Sequence, residues 1–164
     1  MAGIYFHFPF CRQACNYCNF HFSTQLKHQD KMLQAFEKEI GLRNKEWPEK
    51  LESIYFGGGS PSLLYPKSVD HLINFLSKKI NFSKGVEITI EVNPDDVSFE
   101  YLEALYSIGI NRLSIGIQSF LDRELKLMNR IHNSDQGIKT IEWTAKLFQN
   151  FSVDLIYGIP LSDL

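Results

Sequence analysis

The stretch Ser53-Ile54-Tyr55-Phe56-Gly57-Gly58-Gly59-Ser60, followed after Pro66 by Val69, Leu72, Ile73 and Leu76 at helical spacing, reads as one strand, one glycine turn and one amphipathic helix. The same unit recurs on both sides of it. Upstream, Ile4-Tyr5-Phe6-His7-Phe8 is a β-branched and aromatic run that stops at Pro9, and from Gln29 to Leu42 the apolar residues Met32, Leu33, Phe36 and Ile40 share one helical face. Downstream, Ile88-Thr89-Ile90-Glu91-Val92 predicts a third strand, and Ser98 is a helix N-cap ahead of Leu102 and Leu105. Arg112 to Gln118 predicts a fourth strand, 135 to 149 a fourth helix and Val153 to Tyr157 a fifth strand. Regular alternation of strand and helix predicts right-handed βαβ crossovers and a parallel sheet, hence the α/β class. A closed eight-unit barrel needs about 250 residues. The pattern here therefore predicts an open sheet or the front of a partial barrel, stopping at Leu164 before a helix that would cover the fifth strand.

Composition excludes more than it identifies. With 164 residues, 44% of them hydrophobic, the chain can bury a core of one ordinary domain. A net charge of −2 with scattered Lys and Arg gives no basic stripe, which argues against a nucleic-acid partner. No apolar run approaches the ~18 residues of a membrane span. A start of Met1-Ala2-Gly3-Ile4 has no basic secretory n-region, so the cytoplasm is the expected compartment.

Three cysteines, Cys11, Cys15 and Cys18, lie in the loop after the first strand as C-x3-C-x2-C, and the chain has no other. Thiolates are soft ligands suited to zinc or to iron–sulfur clusters. A cubane normally takes four of them, so three leave one iron open to an exchangeable ligand. The alternative is a zinc site completed by His21, since Cys18-x2-His21 has ligand spacing. An odd count and no secretory signal argue against a disulfide.

The unusual residues recur at one place in each unit, the carboxyl end of its strand, where α/β proteins bind ligands. They are the cysteine loop, Gly57 to Ser60, Glu91 with Asn93, Gln118, and Asp154 with Gly158. Taken singly, Glu91 could be a solvated edge residue, Gln118 a strand-end hydrogen bonder and the glycines a tight turn; five units converging on one face predict a site. The glycine run lacks the pattern of a phosphate loop or a dinucleotide fingerprint. Its exposed main chain suits a zwitterion, with ammonium toward carbonyls and carboxylate toward donors.

The segment Cys11-Arg-Gln-Ala-Cys15-Asn-Tyr17-Cys18 resembles the radical S-adenosylmethionine (SAM) proteins. Within them, Ile4 to Phe10, Tyr55-Phe-Gly-Gly-Gly-Ser-Pro-Ser-Leu63, Ile90-Glu-Val-Asn-Pro94, Arg112 to Phe120 and Asp154 to Pro160 resemble the coproporphyrinogen-oxidase-like branch. The resemblance spans almost the whole chain, in order. It implies a three-quarter (β/α)6 barrel of which residues 1–164 are the core domain, ended after the fifth strand and without the C-terminal region. It implies a [4Fe–4S] cluster on Cys11, Cys15 and Cys18, with SAM chelating the open iron. Gly58, Gly59 and Ser60 would contact the methionine portion, Tyr5 and Tyr17 would flank the cluster, and Glu91, Gln118, Arg130 and Asp154 fall on ligand-contacting positions. Of these Arg130 has the least support from the residues alone, since an Arg after a short helical stretch is usually a solvated charge. The cofactors carry the one-electron chemistry; no side chain is assigned a catalytic role of its own.

Two subgroups of the branch differ at one position. The oxygen-independent coproporphyrinogen dehydrogenases carry a fourth cysteine two residues after the third, and Phe20 stands there. The run Tyr17-Cys18-Asn19-Phe20 instead resembles the heme chaperones, which implies heme as cargo, a heme-acceptor protein and an electron donor as partners. Porphyrin decarboxylation is the second reading and a zinc-stabilised, non-catalytic binding domain the third. His132-Asn133-Ser134 lacks the aromatic pair of the chaperones' heme motif and reads as a loop and helix cap.

Overall fold

Within each strand apolar residues alternate with polar ones, and a parallel sheet buried on both faces would not carry that pattern. The computed structural model, which describes residues 2–43 and 46–160, gives the reason. Its five strands are β1 (Gly3–Phe8), β2 (Lys50–Gly58), β3 (Asn81–Val92), β4 (Arg112–Gln118) and β5 (Phe151–Leu155). They are all parallel and lie side by side in chain order. Consecutive right-handed crossovers in one direction put every helix on the same side of the sheet. The helices α1 (Gln29–Leu42), α2 (Pro66–Ser77), α3 (Phe99–Ser107) and α5 (Ser134–Leu147) form that layer, α1 packing on α2, α2 on α3 and α3 on α5. A short helix, α4 (Asp122–Leu127), lies between β4 and α5.

The apolar sheet face meets the helices. Phe6, Phe8, Ile54, Phe56, Ile90, Leu113, Ile115 and Ile117 are buried there with Val69, Leu72, Leu76, Leu102 and Leu105 from α2 and α3. Each such side chain contributes roughly 1.5–3 kcal/mol of transfer free energy. Phe6 and Phe56 stack across β1 and β2 with centroids 4.9 Å apart. The opposite face carries Tyr5, Tyr55, Glu91, Ser114, Gln118 and Asp154, and among the described residues no helix layer packs on it. One sheet face builds the core, and the other is left for a ligand.

The boundaries expected for α1 and β4 match the structure, and Ser98 caps α3, its hydroxyl accepting from the Tyr101 amide at 3.2 Å. Three expectations are corrected. Strands β2 and β3 begin earlier than their expected runs, at Lys50 and Asn81, because backbone pairing of Lys50 with Asn81 and Leu51 with Phe82 extends the sheet through segments where a single apolar residue, Leu51 or Phe82, stands among polar ones. Strand β5 spans Phe151–Leu155 and not 153–157, because its ladder with β4 begins at Leu113 and Phe151 and, after a register shift at Gly116, ends with Gln118 opposite Leu155. The helix expected over 135–149 spans Ser134–Leu147, because the chain is already extended at Phe148, and the short helical stretch ahead of Arg130 is α4. Met1 and residues 161–164 lie outside the described residues, and with them the expectation about where the chain stops.

Candidate functional site

The ends of all five strands meet a single cavity of about 240 Å³. Its floor is made by the glycine run. Strand β2 continues into the glycines, with Gly58 opposite Phe8, and the Gly59 and Ser60 amides donate to the Phe8 and Phe10 carbonyls at 2.8 and 2.7 Å. The first unit's loop thus leaves the sheet directly over the glycines. At Gly58 φ is +117°, a conformation side-chain-bearing residues rarely adopt. At Gly59 a Cβ would lie 2.7 Å from the Phe10 carbonyl and 2.9 Å from Cys11 Sγ, so only glycine lets the cysteine loop sit this close.

Glu91, from β3, closes the next side. Its Oε1 accepts from the Tyr55 hydroxyl at 2.9 Å and its Oε2 from the Gly58 amide at 3.0 Å. Burial is the main cause that raises its carboxyl above the ordinary 4.5, with Asp154 adding to it and the two hydrogen bonds opposing it. Burial, joined by the nearby Glu91 charge, pushes the Tyr55 hydroxyl up to about 12, so it remains a donor at neutral pH. Asp154, on β5, accepts from Ser114 Oγ at 3.3 Å, and Ser114 accepts from Ser152 at 3.1 Å. Gln118 ends β4 with φ +67°, and its carbonyl accepts from the Ile156 amide. A non-glycine residue in that region at a cavity edge is the kind of local strain that functional sites retain.

Arg130, the site residue with the least support from its local sequence, is not a solvated charge. Its guanidinium is largely buried and donates to Asn93 Oδ1 at 2.6 Å, the Gly116 carbonyl at 2.9 Å, the Tyr17 hydroxyl at 3.3 Å and Cys15 Sγ at 3.6 Å. Burial pushes the Tyr17 hydroxyl up to about 12, with the Arg130 charge opposing it. The burial arises from Asn93 and Gly116, partners 37 and 14 residues away, which no local pattern reveals.

All three cysteines line the same cavity as Tyr5, Tyr17, Gly58, Gly59, Ser60, Glu91, Gln118, Arg130 and Asp154. Of the residues expected at this face, Gly57 and Gly158 are outside the lining, and the others are brought together. Burial raises the Cys11 thiol above its ordinary value, and a hydrogen bond with Ser60 opposes the shift. Three soft thiols beside exposed main chain and a set of carboxylates and amides suit an iron–sulfur cluster and a zwitterionic partner for it. The zinc alternative requires Cys18 and His21 on one ion. His21 is exposed and outside the cavity lining; among the described residues no three His, Cys, Asp or Glu side chains, the three cysteines included, are grouped closely enough to hold one metal ion, which bears on zinc and cluster alike.

Sequence reasoning missed two supports of the cysteine loop. Arg12 donates to Asp96 at 2.7 Å, and Ser62 donates to the other oxygen of that carboxylate at 2.9 Å. On the far side, Asn129 and Gln13 bond to each other. An Asn just past a short helix, where left-handed backbone is tolerated, was the available signal for the second of these.

The profile of the Radical SAM superfamily matches residues 5–163. The heme chaperone HemW of Buchnera aphidicola subsp. Schizaphis graminum is 35% identical over 99% of this chain and 44% of its own length. That of Bacillus subtilis is 35% identical over 98% of this chain and 43% of its own. The structure of Escherichia coli coproporphyrinogen III oxidase (HemN), described as a radical SAM enzyme, superposes with a TM-score of 0.90 at 30% identity, covering 98% of this chain and 38% of that one. The chain spans less than half the length of the curated relatives it matches. With five parallel strands alternating with helices, three cysteines over a glycine floor and a family match across nearly its whole length, the chain belongs to the radical SAM superfamily.

Proposed function

We propose that this chain is the core of a heme chaperone that holds a [4Fe–4S] cluster on Cys11, Cys15 and Cys18 and binds SAM beside it. The observation that carries the reading is the shared cavity, in which the three thiols face Gly58, Gly59, Ser60, Glu91, Gln118, Arg130 and Asp154. The Gly58 to Ser60 main chain and Arg130 are suited to a carboxylate, and Glu91 and Asp154 to a cationic group. Tyr5 and Tyr17 offer aromatic faces and hydroxyls at the rim. Once cluster and SAM are bound, the chemistry they supply is one-electron reduction of the SAM sulfonium. The chain's own residues orient the bound molecule and exclude water from it. Heme is the proposed cargo, a heme-acceptor protein and an electron donor are the proposed partners, and the cytoplasm, where thiols stay reduced, is the proposed compartment. None of the described helices is long and apolar enough to cross a membrane.

The second reading, oxygen-independent coproporphyrinogen III oxidation, is favoured by the superposition on the E. coli oxidase. Phe20 opposes it. It is exposed at the cavity rim, where the dehydrogenases have their further cysteine, and an aromatic hydrocarbon side chain neither ligates iron nor transfers a proton. The test is an anaerobic assay of the whole gene product with reductant and SAM, following protoporphyrinogen formation beside a heme titration. Heme binding without porphyrinogen turnover is expected, and turnover without heme binding would reverse the order of the two readings.

A further inference from the structure

The cysteine loop has no helix or named strand; its base is closed by a bridge between Phe10 and Ser23 and its tip by a turn from Cys15 to Cys18, while the stretch from Gln13 to Asn16 is held from outside. Residues 127–130, the end of α4 and the turn after it, supply that hold. The Asn16 amide donates to the Met128 carbonyl at 3.0 Å, and Asn16 Nδ2 to the Leu127 carbonyl at 2.7 Å. Gln13 Nε2 donates to both the backbone and the side-chain oxygen of Asn129, each at 2.9 Å, and Asn129 Nδ2 donates back to the Ala14 carbonyl at 2.7 Å. Asn129 stands at φ +58°, which turns its backbone carbonyl and its amide side chain toward the loop together. Asn tolerates this conformation better than other side chains. The helix end is itself fixed, with the Asn129 and Arg130 amides on the Lys126 and Leu125 carbonyls, and Ser119 paired with Glu124.

From this geometry we infer that Asn129 is a positioning residue for the metal-binding loop. It clamps Gln13 and Ala14, sets the spacing between Cys11 and Cys15, and holds the next residue, Arg130, against Cys15. It touches none of the three sulfurs and acts through the loop. The inference rests on the cluster reading proposed above.

The test uses Asn129→Gly, which keeps the backbone conformation and deletes the side-chain bonds to Gln13 and Ala14, and Gln13→Ala, which removes both Gln13 bonds to Asn129 from the loop side without touching α4. In the apo-protein, hydrogen exchange at the Asn16 amide is expected to quicken by about tenfold in both variants. In the reconstituted protein, iron loss to a chelator should quicken about tenfold or more, as for other outer-shell partners of metal ligands, with a changed electron paramagnetic resonance line shape and an unchanged urea midpoint. Wild-type exchange and iron retention in the two variants would overturn the inference. So would a Gln13→Ala variant that behaves as wild type while Asn129→Gly only unfolds more easily. Failure of the wild type to take up iron would sink the cluster reading and the metal-binding half of this one, while the exchange rates would still decide the clamp.

Discussion

Gly58 shows how one missing Cβ serves the site. A side chain there would meet the His7 ring at 2.9 Å and the Phe8 amide nitrogen at 3.1 Å, and it would have to adopt φ +117°. Such backbone strain costs on the order of 1–3 kcal/mol. Gly58→Val should therefore lower stability by about that amount and weaken SAM binding by about tenfold or more, measured by urea titration and calorimetry; unchanged affinity would make the glycine run a plain turn. Glu91 gives a prediction in pH. Its carboxyl is raised in the folded protein, so the fold retains a proton at pH values where the unfolded chain has lost it. By linkage, that contribution to stability is complete below the ordinary value of 4.5 and is lost as pH rises through the folded one. Glu91→Gln should remove this slope from the stability profile of the apo-protein, and an identical slope in the variant would mean that the buried carboxylate is not its source.

At the scale of elements, α1 was legible to the residue from its apolar stripe, and α2 by its stripe and its start after Pro66. The starts of β2 and β3 were not, because main-chain pairing carries the sheet back to Lys50 and Asn81, and a parallel ladder leaves no mark on side-chain type. Helix α4 was legible only as a short helical stretch ahead of Arg130, because six residues are too few to show a period. The cap of α5 was legible and has a measurable consequence. Asn133 Oδ1 accepts from the Gln136 amide at 2.9 Å while Gln136 Oε1 accepts from the Asn133 amide at 3.0 Å, a reciprocal capping box. Asn133→Ala should cost about 1 kcal/mol in a urea titration, and no loss would mean that solvent satisfies the helix end equally well.

For the molecule as a whole, monotonic strand order puts all helices on one face and leaves Tyr5, Glu91, Gln118 and Asp154 on the other. The cysteines, the glycine run, Glu91, Gln118 and Asp154 were legible because each unit repeats a signal at the same strand end, whereas Tyr5, Tyr17 and Arg130 entered only through the family resemblance. What could not be read was the way they are joined. Arg130 spans from Gly116 to Cys15, and Asn129 holds a loop more than a hundred residues earlier, both through contacts that only the fold creates. The central claim is that three cysteines leave one iron open beside the cavity. The most direct measurement is electron paramagnetic resonance of the reduced, anaerobically reconstituted protein with and without SAM, alongside iron analysis of wild type and Cys15→Ala. About four irons per chain, a spectrum that changes on adding SAM, and loss of both in Cys15→Ala are expected. Stoichiometric zinc in place of iron, or spectra that superimpose with and without SAM, would contradict the account.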